Sequence, residues 1–348
     1  MLADRIEGKW IESFAQVLAL CQLAPGDAVA LLSETQSRAL NVSLAELAAQ
    51  RLKAHPFHVV LPTPAQSSPV PVRSTGASGA LQGLKPALAA LAASALVVDL
   101  TLEGMLHAPE LPEILERGAR LLMVSNEHPD VLERLVPEPA CEAKVRAGIK
   151  LLRAAKKMRV TSAAGSDLAV DLEGATVGGV WGYCAKPGQV AHWPGGLVLA
   201  FPKAGTVNGT LVLDRGDVNL TFKRYLESAV RLTIVADYVT RIEGDGLDGE
   251  LMRSYIAAWG EREAYAVSHV GWGMNPRARW EALALYDKRD VNGTELRAFA
   301  GNFLFSTGAN ETAGRHTLGH FDLPMRNCTI ELDGSAVVSA GALQPPLA

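Results

Sequence analysis

Short, uninterrupted apolar segments alternate with amphipathic helical segments along the N-terminal part of the chain. A strand that is apolar throughout is buried on both faces, which is typical of a parallel sheet covered by helices. The pattern therefore predicts an open, mainly parallel α/β domain over residues 1–150. The strands are predicted at 28–32, 58–61, 96–100 and 120–124, and the helices at 10–23, 44–52, 86–94 and 111–117.

The second half of the chain has a different pattern, in which turn residues separate short strands. A long helix predicted over residues 141–157 leads into it, and a helix over 250–259 interrupts the strands. Residues 151–348 are therefore predicted to form a mainly antiparallel α+β domain, and a length of 348 residues suits two domains. Three segments are predicted to be hairpins, at residues 210–222, 230–244 and 328–341.

The charge of the chain is nearly balanced, with 33 basic and 37 acidic residues. No surface for nucleic acid or an anionic membrane is indicated, so a small molecule is the expected partner. The longest apolar stretch, residues 87–98, is too short to span a bilayer, and charged residues occupy the N-terminus where a signal peptide needs an apolar core. The four cysteines form no C-x-x-C pair. We expect a soluble, cytoplasmic protein without disulfides.

Residues 62–83 are rich in proline, serine and glycine, and they are longer than an ordinary connection between two elements. Such a segment is predicted to be either a lid over a site or an arm that joins subunits. A homo-oligomer is expected.

His320 and Asp322 are the first candidates for chemistry, because one apolar residue separates them. Successive side chains on a strand point to opposite faces, so these two share a face. Imidazole and carboxylate suit a divalent first-row metal, and a further histidine would complete the 2-His-1-carboxylate set that leaves three positions open on Fe(II). An isolated H-x-D is more often a surface pair, so the prediction depends on the other histidines.

His269 is the histidine that best completes the set. It lies in AVSHVGWGMNPRARW, where an apolar strand runs into two glycines that allow a backbone or a ligand to approach closely. A core histidine with satisfied hydrogen bonds is the alternative. His55, His58 and His128 lie beside or near prolines and are interpreted as surface or turn residues.

Three further residues could contact a substrate. His192 lies in PGQVAHWPGG, a loop suited to the fixed wall of a site, although it could also be a plain loop residue. His107 follows the strand predicted at 96–100, and ligands of open α/β sheets bind beyond the carboxyl ends of strands; a helix-capping or surface role is equally compatible. Ser306 ends an apolar strand, where its hydroxyl could bind substrate or stabilise the turn.

Other sequence motifs lack the context that they need. Gly244, Gly246 and Gly249 match G-x-G-x-x-G, but acidic residues within the loop would repel a pyrophosphate and no βαβ unit begins there. The sequence contains no G-x-S-x-G, P-loop or HExxH motif. Serine-hydrolase, nucleoside-triphosphate and zincin functions therefore have no support from motifs.

Three strings of the second half, SHVGWGMNPRARW, RAFAGNFLFSTG and HFDLPMRNC, together resemble the 2,5-dihydroxypyridine 5,6-dioxygenase family of bacterial nicotinate and hydroxypyridine catabolism. The likeness continues through AGSDL, HWPGG and GTLVLDRGD and covers nearly the whole chain, with a looser match at ALVVDL and MLHAPE. The resemblance implies an extradiol-type ring-cleaving dioxygenase. Such an enzyme uses Fe(II) and O2 to open a hydroxylated pyridine to N-formylmaleamate.

The resemblance also implies roles for individual residues. The iron ligands would be His269, His320 and Asp322, and the catalytic and substrate-binding residues would be His107, His192 and Ser306. Either His107 or His192 would be the acid/base group, since both have an ordinary pKa near 6.5. The chain departs from the family at Val180, where a glutamate is expected, and this position bears on which hydroxypyridine is the substrate.

Two other functions are compatible with parts of the sequence. The second domain also resembles that of thermophilic metallo-aminopeptidases, which share an H-x-D element. A two-metal hydrolase needs further bridging carboxylates, and Glu243 and Glu250 are the nearby candidates. A non-catalytic binding protein that retained the fold is the other alternative, which the intact ligand set disfavours.

Overall fold

The structure is a computed structural model that describes residues 5–66, 69 and 77–348. Within these residues the α-helices are α1 (Gly8–Leu20), α2 (Ala39–Arg51), α3 (Lys85–Ala92), α4 (Leu111–Glu116), α5 (Pro129–Arg134), α6 (Pro139–Ala154), α7 (Leu247–Ala258), α8 (Ala282–Leu285) and α9 (Thr294–Ala298), and short 3-10 helices cover Arg262–Tyr265, Lys288–Asp290 and Glu311–Ala313. The strands are β1 (Ala28–Glu34), β2 (His55–Leu61), β3 (Leu96–Asp99), β4 (Arg120–Val124), β5 (Lys157–Thr161), β6 (Asp167–Asp171), β7 (Thr176–Val180), β8 (Val190–Trp193), β9 (Leu197–Phe201), β10 (Val207–Leu213), β11 (Val218–Asn219), β12 (Arg224–Tyr225), β13 (Val230–Val235), β14 (Tyr238–Glu243), β15 (Val267–Gly273), β16 (Phe303–Thr307), β17 (Phe321–Met325), β18 (Thr329–Leu332), β19 (Ser335–Ser339) and β20 (Ala342–Leu343).

The first sheet has five strands in the order β2-β1-β3-β4-β8, and every neighbouring pair is parallel. Strands β3 and β4 are buried along their whole length, as the apolar runs at residues 96–98 and 121–124 predict. On β1, Leu31 packs with residues of α1 and α2, while Leu32 packs with residues of α3 and α4. Helices therefore cover both faces, and the predicted parallel α/β architecture is confirmed.

Strand β8 belongs to the second half of the sequence but completes the first sheet. It pairs with β4, so that His192 lies beside Met123 and Trp193 lies beside Val124. The predicted division at residue 150 falls inside α6, and the strand at residues 190–193 returns across it. The four-residue strand lies between a glycine-rich loop and a proline. This local sequence does not indicate that the strand pairs with β4, which lies much earlier in the chain.

The second half contains an eight-stranded sheet, β14-β13-β10-β6-β5-β18-β19-β20, and a five-stranded sheet, β17-β16-β15-β9-β7, with antiparallel neighbours throughout. Burial alternates along β5 and β6, as expected for strands with one face in a core. Leu168 and Leu211 of the larger sheet share a hydrophobic cluster with Trp272 and Phe305 of the smaller one. The predicted antiparallel α+β architecture is confirmed, including the hairpins β13–β14 and β18–β19.

The hairpin predicted at residues 210–222 is wrong. Strand β10 pairs with β6 and β13, whereas β11 pairs with β12. The carboxylate of Asp217 explains the break, because it is buried and accepts hydrogen bonds from the backbone N–H groups of Asp214 and Arg326, each at 2.7 Å. These bonds hold the turn against the strand that ends at Met325 and direct the chain away from β10.

The helix predicted to reach residue 157 ends at Ala154. The carboxylate of Asp333 accepts hydrogen bonds from the backbone N–H groups of Lys156 at 3.1 Å and Lys157 at 2.9 Å. These N–H groups are therefore bonded outside the helix, and Lys157 begins β5 instead.

Residues 67–68 and 70–76 of the predicted lid or oligomer arm lie outside the described residues. Among the residues that are described, no helix combines the length and the apolar character needed to cross a membrane.

Candidate metal centre

Three adjacent strands of the smaller antiparallel sheet carry the candidate ligands. His269 lies on β15 and Asp322 on β17, and β16 runs between them with Ser306 directly opposite Asp322. The pairing of β15 with β16 shifts register between Val267 and Val270, which is a bulge at the position of His269. Bulges are common beside active sites because they redirect a side chain. His320 immediately precedes β17 and reaches the same place.

The alternation of side chains on these strands separates the core from the site. Val270, Phe305 and Leu323 point into the hydrophobic cluster that the two antiparallel sheets share. Their neighbours His269 and Asp322 consequently point to the other face of the sheet. His269 and Asp322 therefore share one face of the smaller sheet, and that face looks toward the parallel α/β half.

His269, His320 and Asp322 come together in space. Nε2 of His269 lies 3.7 Å from Oδ1 of Asp322, and Nε2 of His320 lies 3.2 Å from the same oxygen. One ligand atom from each of the three residues lies within 4.8 Å of the others. The imidazole of His269 therefore lies beside the H-x-D strand, although about fifty positions separate the two in sequence.

The carboxylate of Asp322 is held on both oxygens. Nε of Arg297, on α9, donates a hydrogen bond to Oδ2 at 2.6 Å, and the hydroxyl of Ser306 donates to Oδ1. Burial alone would raise the pKa of Asp322, but the Arg297 guanidinium and then the His320 imidazole hold it well below its usual range. Asp322 is therefore an ionised, buried acceptor.

His269 is held neutral. Burial lowers its pKa to about 3, against an opposing effect of the Asp322 charge, and His320 lowers it further. Its Nδ1 is buried and accepts or donates no hydrogen bond among the described residues, and Phe201 packs edge-on against the ring with centroids 5.4 Å apart. Neutral imidazole is the form that binds metals. Two imidazoles and an ionised carboxylate fit a divalent first-row cation by their donor chemistry.

A cavity opens beside the three candidate ligands. Its wall combines residues from both halves of the chain. From the parallel half it includes Glu103, Leu106, His107 and Met123, and from the second half it includes His192, Leu199, Asn292, Thr294, Arg297 and Leu304.

His192 is placed in the cavity wall by β8. Its Nδ1 lies 2.6 Å from the carbonyl oxygen of Pro194. Because a carbonyl only accepts, Nδ1 carries the proton and Nε2 carries the lone pair. Burial lowers the pKa of His192 to about 4, partly offset by the Pro194 carbonyl, and the Arg297 charge lowers it further. His192 is thus a neutral imidazole of fixed tautomer.

His107 lies where the cavity meets a wider one of about 830 Å³. Its ring centroid is 6.4 Å from that of His320, and solvent still reaches it. Burial of the ring by the surrounding protein lowers the pKa of His107, and the nearby His320 lowers it further. The loop that carries His107 is anchored by Asp99, whose carboxylate accepts from the backbone N–H groups of Thr101 at 3.0 Å and Met105 at 2.7 Å.

A sequence model of the 2,5-dihydroxypyridine 5,6-dioxygenase family matches residues 9–345 of the chain. The chain belongs to this family. It is 40% identical over 339 residues to the 2,5-dihydroxypyridine 5,6-dioxygenase of Pseudomonas putida KT2440, and the match covers 96% of each protein. A solved structure of 2,5-dihydroxypyridine dioxygenase from the same organism superposes with a TM-score of 0.91 at 39% identity, over 97% of each chain. The family resemblance drawn from the motifs is confirmed.

A second solved structure, wild-type AmpT from Thermus thermophilus, has a TM-score of 0.65 at 14% identity, over 96% of this chain and 99% of that one. This likeness concerns the fold alone. In the part of the chain that the structure describes, the three residues above are the group of His, Cys, Asp and Glu side chains that could hold a metal. Glu243 is ion-paired with Arg241 at 3.1 Å, and Glu250 is exposed on α7. Together with membership of a dioxygenase family, this does not favour the two-metal hydrolase.

Several cavity residues of this dioxygenase-family chain escaped the sequence analysis. Arg297 is the most important, because it bonds directly to a candidate ligand. The one available signal was that it begins the string RAFAGNFLFSTG, nine positions before Ser306. Glu103, Asn292 and Thr294 also line the cavity and gave no signal.

The histidines interpreted as surface or turn residues lie outside this cavity. His128 caps α5 by accepting a hydrogen bond from the backbone N–H of Asp130 at 3.2 Å. His58 lies 3.2 Å from Glu46 on the surface of the parallel half. His316 lines the wider cavity.

Proposed function

We propose that the chain opens the ring of 2,5-dihydroxypyridine, or of a close hydroxypyridine, with O2 to give N-formylmaleamate. Both oxygen atoms of O2 enter the product as the bond between C5 and C6 of the ring breaks. The observation that carries the proposal is the convergence of two imidazoles and one carboxylate within 4.8 Å, beside a cavity, in a chain of this family.

The proposed metal is Fe(II), held by His269, His320 and Asp322. Ferrous iron bound on one face would supply open positions for a substrate oxygen and O2, together with the electrons that make their spin-forbidden reaction feasible. The donor set supports this assignment, since it lacks the soft thiolates that would favour other metals. All four cysteines are free thiols, and none belongs to the group of three ligands.

His107 is proposed to be the acid/base group, and His192 a hydrogen-bonding wall residue. Protonation of His192 is costly because the ring is buried, whereas solvent reaches His107 and lets it exchange protons with the bulk. The ring of His107 also lies close to a candidate ligand, with its centroid 6.4 Å from that of His320. His192 then accepts a hydrogen bond from a substrate hydroxyl at Nε2 and fixes the orientation of the ring.

Ser306 and Val180 are proposed to affect the substrate in different ways. The hydroxyl of Ser306 is buried, donates to Asp322 and is not among the residues that line the cavity, so we propose that it acts on the substrate chiefly by fixing the carboxylate. Val180 ends β7 and pairs with Leu197, which lines the cavity. A side-chain change at Val180 would therefore reach the substrate through its strand partner.

Oxygen consumption by iron-loaded protein tests the proposed function. Protein reconstituted anaerobically with Fe(II) should take up O2 when 2,5-dihydroxypyridine is added, and 18O2 should place both labelled atoms in N-formylmaleamate. Zn(II)-loaded protein is the matched control and should be inactive, because zinc cannot change its oxidation state. Iron-loaded protein that consumes no O2 with any dihydroxypyridine would rule out the substrate class.

The proposal includes a cytoplasmic homo-oligomer. Four free thiols fit a reducing compartment. Strand β2 lies at the edge of the parallel sheet, and its Val60 is 57% exposed. An apolar edge strand favours association with another chain. Sedimentation of the purified protein measures the oligomeric state.

A further inference from the structure

Glu127 is a buried carboxylate in the loop that follows β4. It accepts hydrogen bonds from three consecutive backbone N–H groups at the start of α9. Oε2 accepts from Asn292 at 2.8 Å. Oε1 accepts from Gly293 at 2.9 Å and from Thr294 at 3.0 Å. The parallel half of the molecule thus grips the first turn of a helix that belongs to the second half.

The local backbone is built for this grip. Gly293 has a φ of +108°, and a Cβ at that position would lie 3.0 Å from Cδ2 of Leu220. Glycine is therefore needed for the turn that directs successive N–H groups at one carboxylate. The hydroxyls of Ser125 and Thr294 form a further hydrogen bond of 2.6 Å between the same two segments.

Burying a carboxylate between two segments costs free energy. Burial raises the pKa of Glu127, while the N–H groups that it accepts from oppose this effect. Replacing a buried ionic group by well-packed apolar side chains is often neutral or stabilising, so stability alone is a weak reason for it. A carboxylate that accepts several hydrogen bonds does, however, fix the orientation of the backbone segment that donates them.

Helix α9 connects the residues that bond to Glu127 with the metal centre. Thr294, which Glu127 grips, and Arg297 both line the cavity. They lie three positions apart, which is less than one helical turn. Nε of Arg297 donates to Oδ2 of Asp322 at 2.6 Å. A shift at the first turn of α9 would therefore move the guanidinium that holds the ligand carboxylate.

We propose that Glu127 is a positioning residue for the metal centre and that it acts through Arg297 on Asp322. By gripping residues 292–294, it sets the place from which Arg297 bonds to the carboxylate. This inference rests on the proposed function, because it assumes that Asp322 binds a metal. Glu127 itself touches neither the candidate ligands nor the substrate in this account.

Asp248 provides a matched control. It is also a buried carboxylate that accepts backbone hydrogen bonds, from Glu227 at 2.9 Å and Ser228 at 3.1 Å, and it is paired with Arg224 at 3.1 Å. It is not among the residues that line the cavity. Its loss should lower the unfolding temperature without affecting the metal centre.

The experiment uses Co(II) as the probe in the full-length protein, with four proteins: Glu127→Gln, Arg297→Gln, the double variant and Asp248→Asn. Competition with a chelator measures Co(II) affinity, and the visible ligand-field spectrum reports the arrangement of the ligands. Glu127→Gln and Arg297→Gln should each weaken Co(II) binding about tenfold and change the spectrum, as loss of groups that orient a ligand does. Asp248→Asn should leave both unchanged.

The double variant decides whether Glu127 acts through Arg297. If it does, the double variant should bind Co(II) about as weakly as Arg297→Gln alone, since the two losses share one path. Losses that multiply, or an unchanged spectrum in Glu127→Gln, would overturn the inference. If Glu127→Gln does not fold, Glu127→Asp shortens the grip by one methylene and the same cycle is measured with it. Wild-type protein that binds no Co(II) would instead refute the metal centre, so the two failures are distinguishable.

Discussion

Arg297 and the two candidate histidine ligands approach different oxygens of Asp322. The guanidinium Nε lies 2.6 Å from Oδ2, whereas Nε2 of His269 and Nε2 of His320 lie 3.7 Å and 3.2 Å from Oδ1. A carboxylate whose second oxygen is held by a cation presents one oxygen to a metal. Single-oxygen binding leaves more coordination positions open for small ligands.

Replacing Arg297 by glutamine should therefore weaken metal binding without abolishing it. The guanidinium lowers the pKa of Asp322 and orients its carboxylate, and losing such a group typically costs ten- to a hundredfold in metal affinity. We expect about a tenfold weaker Fe(II) affinity by chelator competition. Arg297→Lys, which keeps a charge but not the shape of the guanidinium, should recover part of the loss. An affinity equal to that of the wild type would show that the carboxylate needs no such support.

Removing any one ligand should remove the metal. His269→Ala, His320→Ala and Asp322→Ala leave two protein ligands each, so we expect no bound iron by elemental analysis and no O2 uptake. His107→Ala is the control from the same cavity, and it should retain iron while losing turnover. Retention of iron in two of the three ligand variants would contradict the proposed site.

Replacing Ser306 by alanine should separate two roles of its hydroxyl. The variant loses one hydrogen bond to Asp322, while the Arg297 bond remains, so we expect iron to be retained. If the hydroxyl also binds the substrate, KM should rise up to about tenfold, which corresponds to about 1.4 kcal/mol. Steady-state O2 uptake as a function of substrate concentration measures this. An unchanged KM with a lowered kcat would restrict Ser306 to fixing the carboxylate.

Acidification should destabilise the metal-free protein through His192. Its pKa is lowered to about 4 in the folded state, against about 6.5 when unfolded, so between these values only the unfolded chain gains the proton. The contribution to stability is complete above pH 6.5 and is lost as the pH falls toward 4. Urea unfolding at pH 7 and pH 5 should differ by about 2 kcal/mol from this residue. His192→Asn should show a smaller difference, and an equal one would assign the effect to other groups.

The sequence predicted which three side chains come together because each part of that prediction depends on a short-range rule. The two-residue period of a strand put His320 and Asp322 on one side, and the apolar strand ending in Gly-Trp-Gly placed His269 in a fixed, crowded position. Continuous apolar strands likewise predicted the parallel sheet, because a strand that is buried on both faces is apolar at nearly every position.

The parts that the sequence did not predict depend on long-range contacts. Arg297 lies on a five-residue helix without a distinctive pattern. Its role depends on its bond to Asp322, which lies on β17, 25 positions later in the chain. The strand β8 joins the first sheet through Val124 and its neighbours, about seventy positions earlier. The false hairpin at residues 210–222 failed for the same reason, since Asp217 bonds to a backbone that lies more than one hundred positions later.

The return of β8 to the first sheet constrains how this family can exchange parts. Its four residues complete a sheet that begins near the N-terminus, and they carry His192 into the cavity. A crossover at residue 150 between two relatives would join the sheet of one parent to the final strand of the other. Chimeras should remain active only when residues 190–193 are inherited from the same parent as β4. These four residues and β4 are therefore expected to be exchanged together, although they are far apart in sequence.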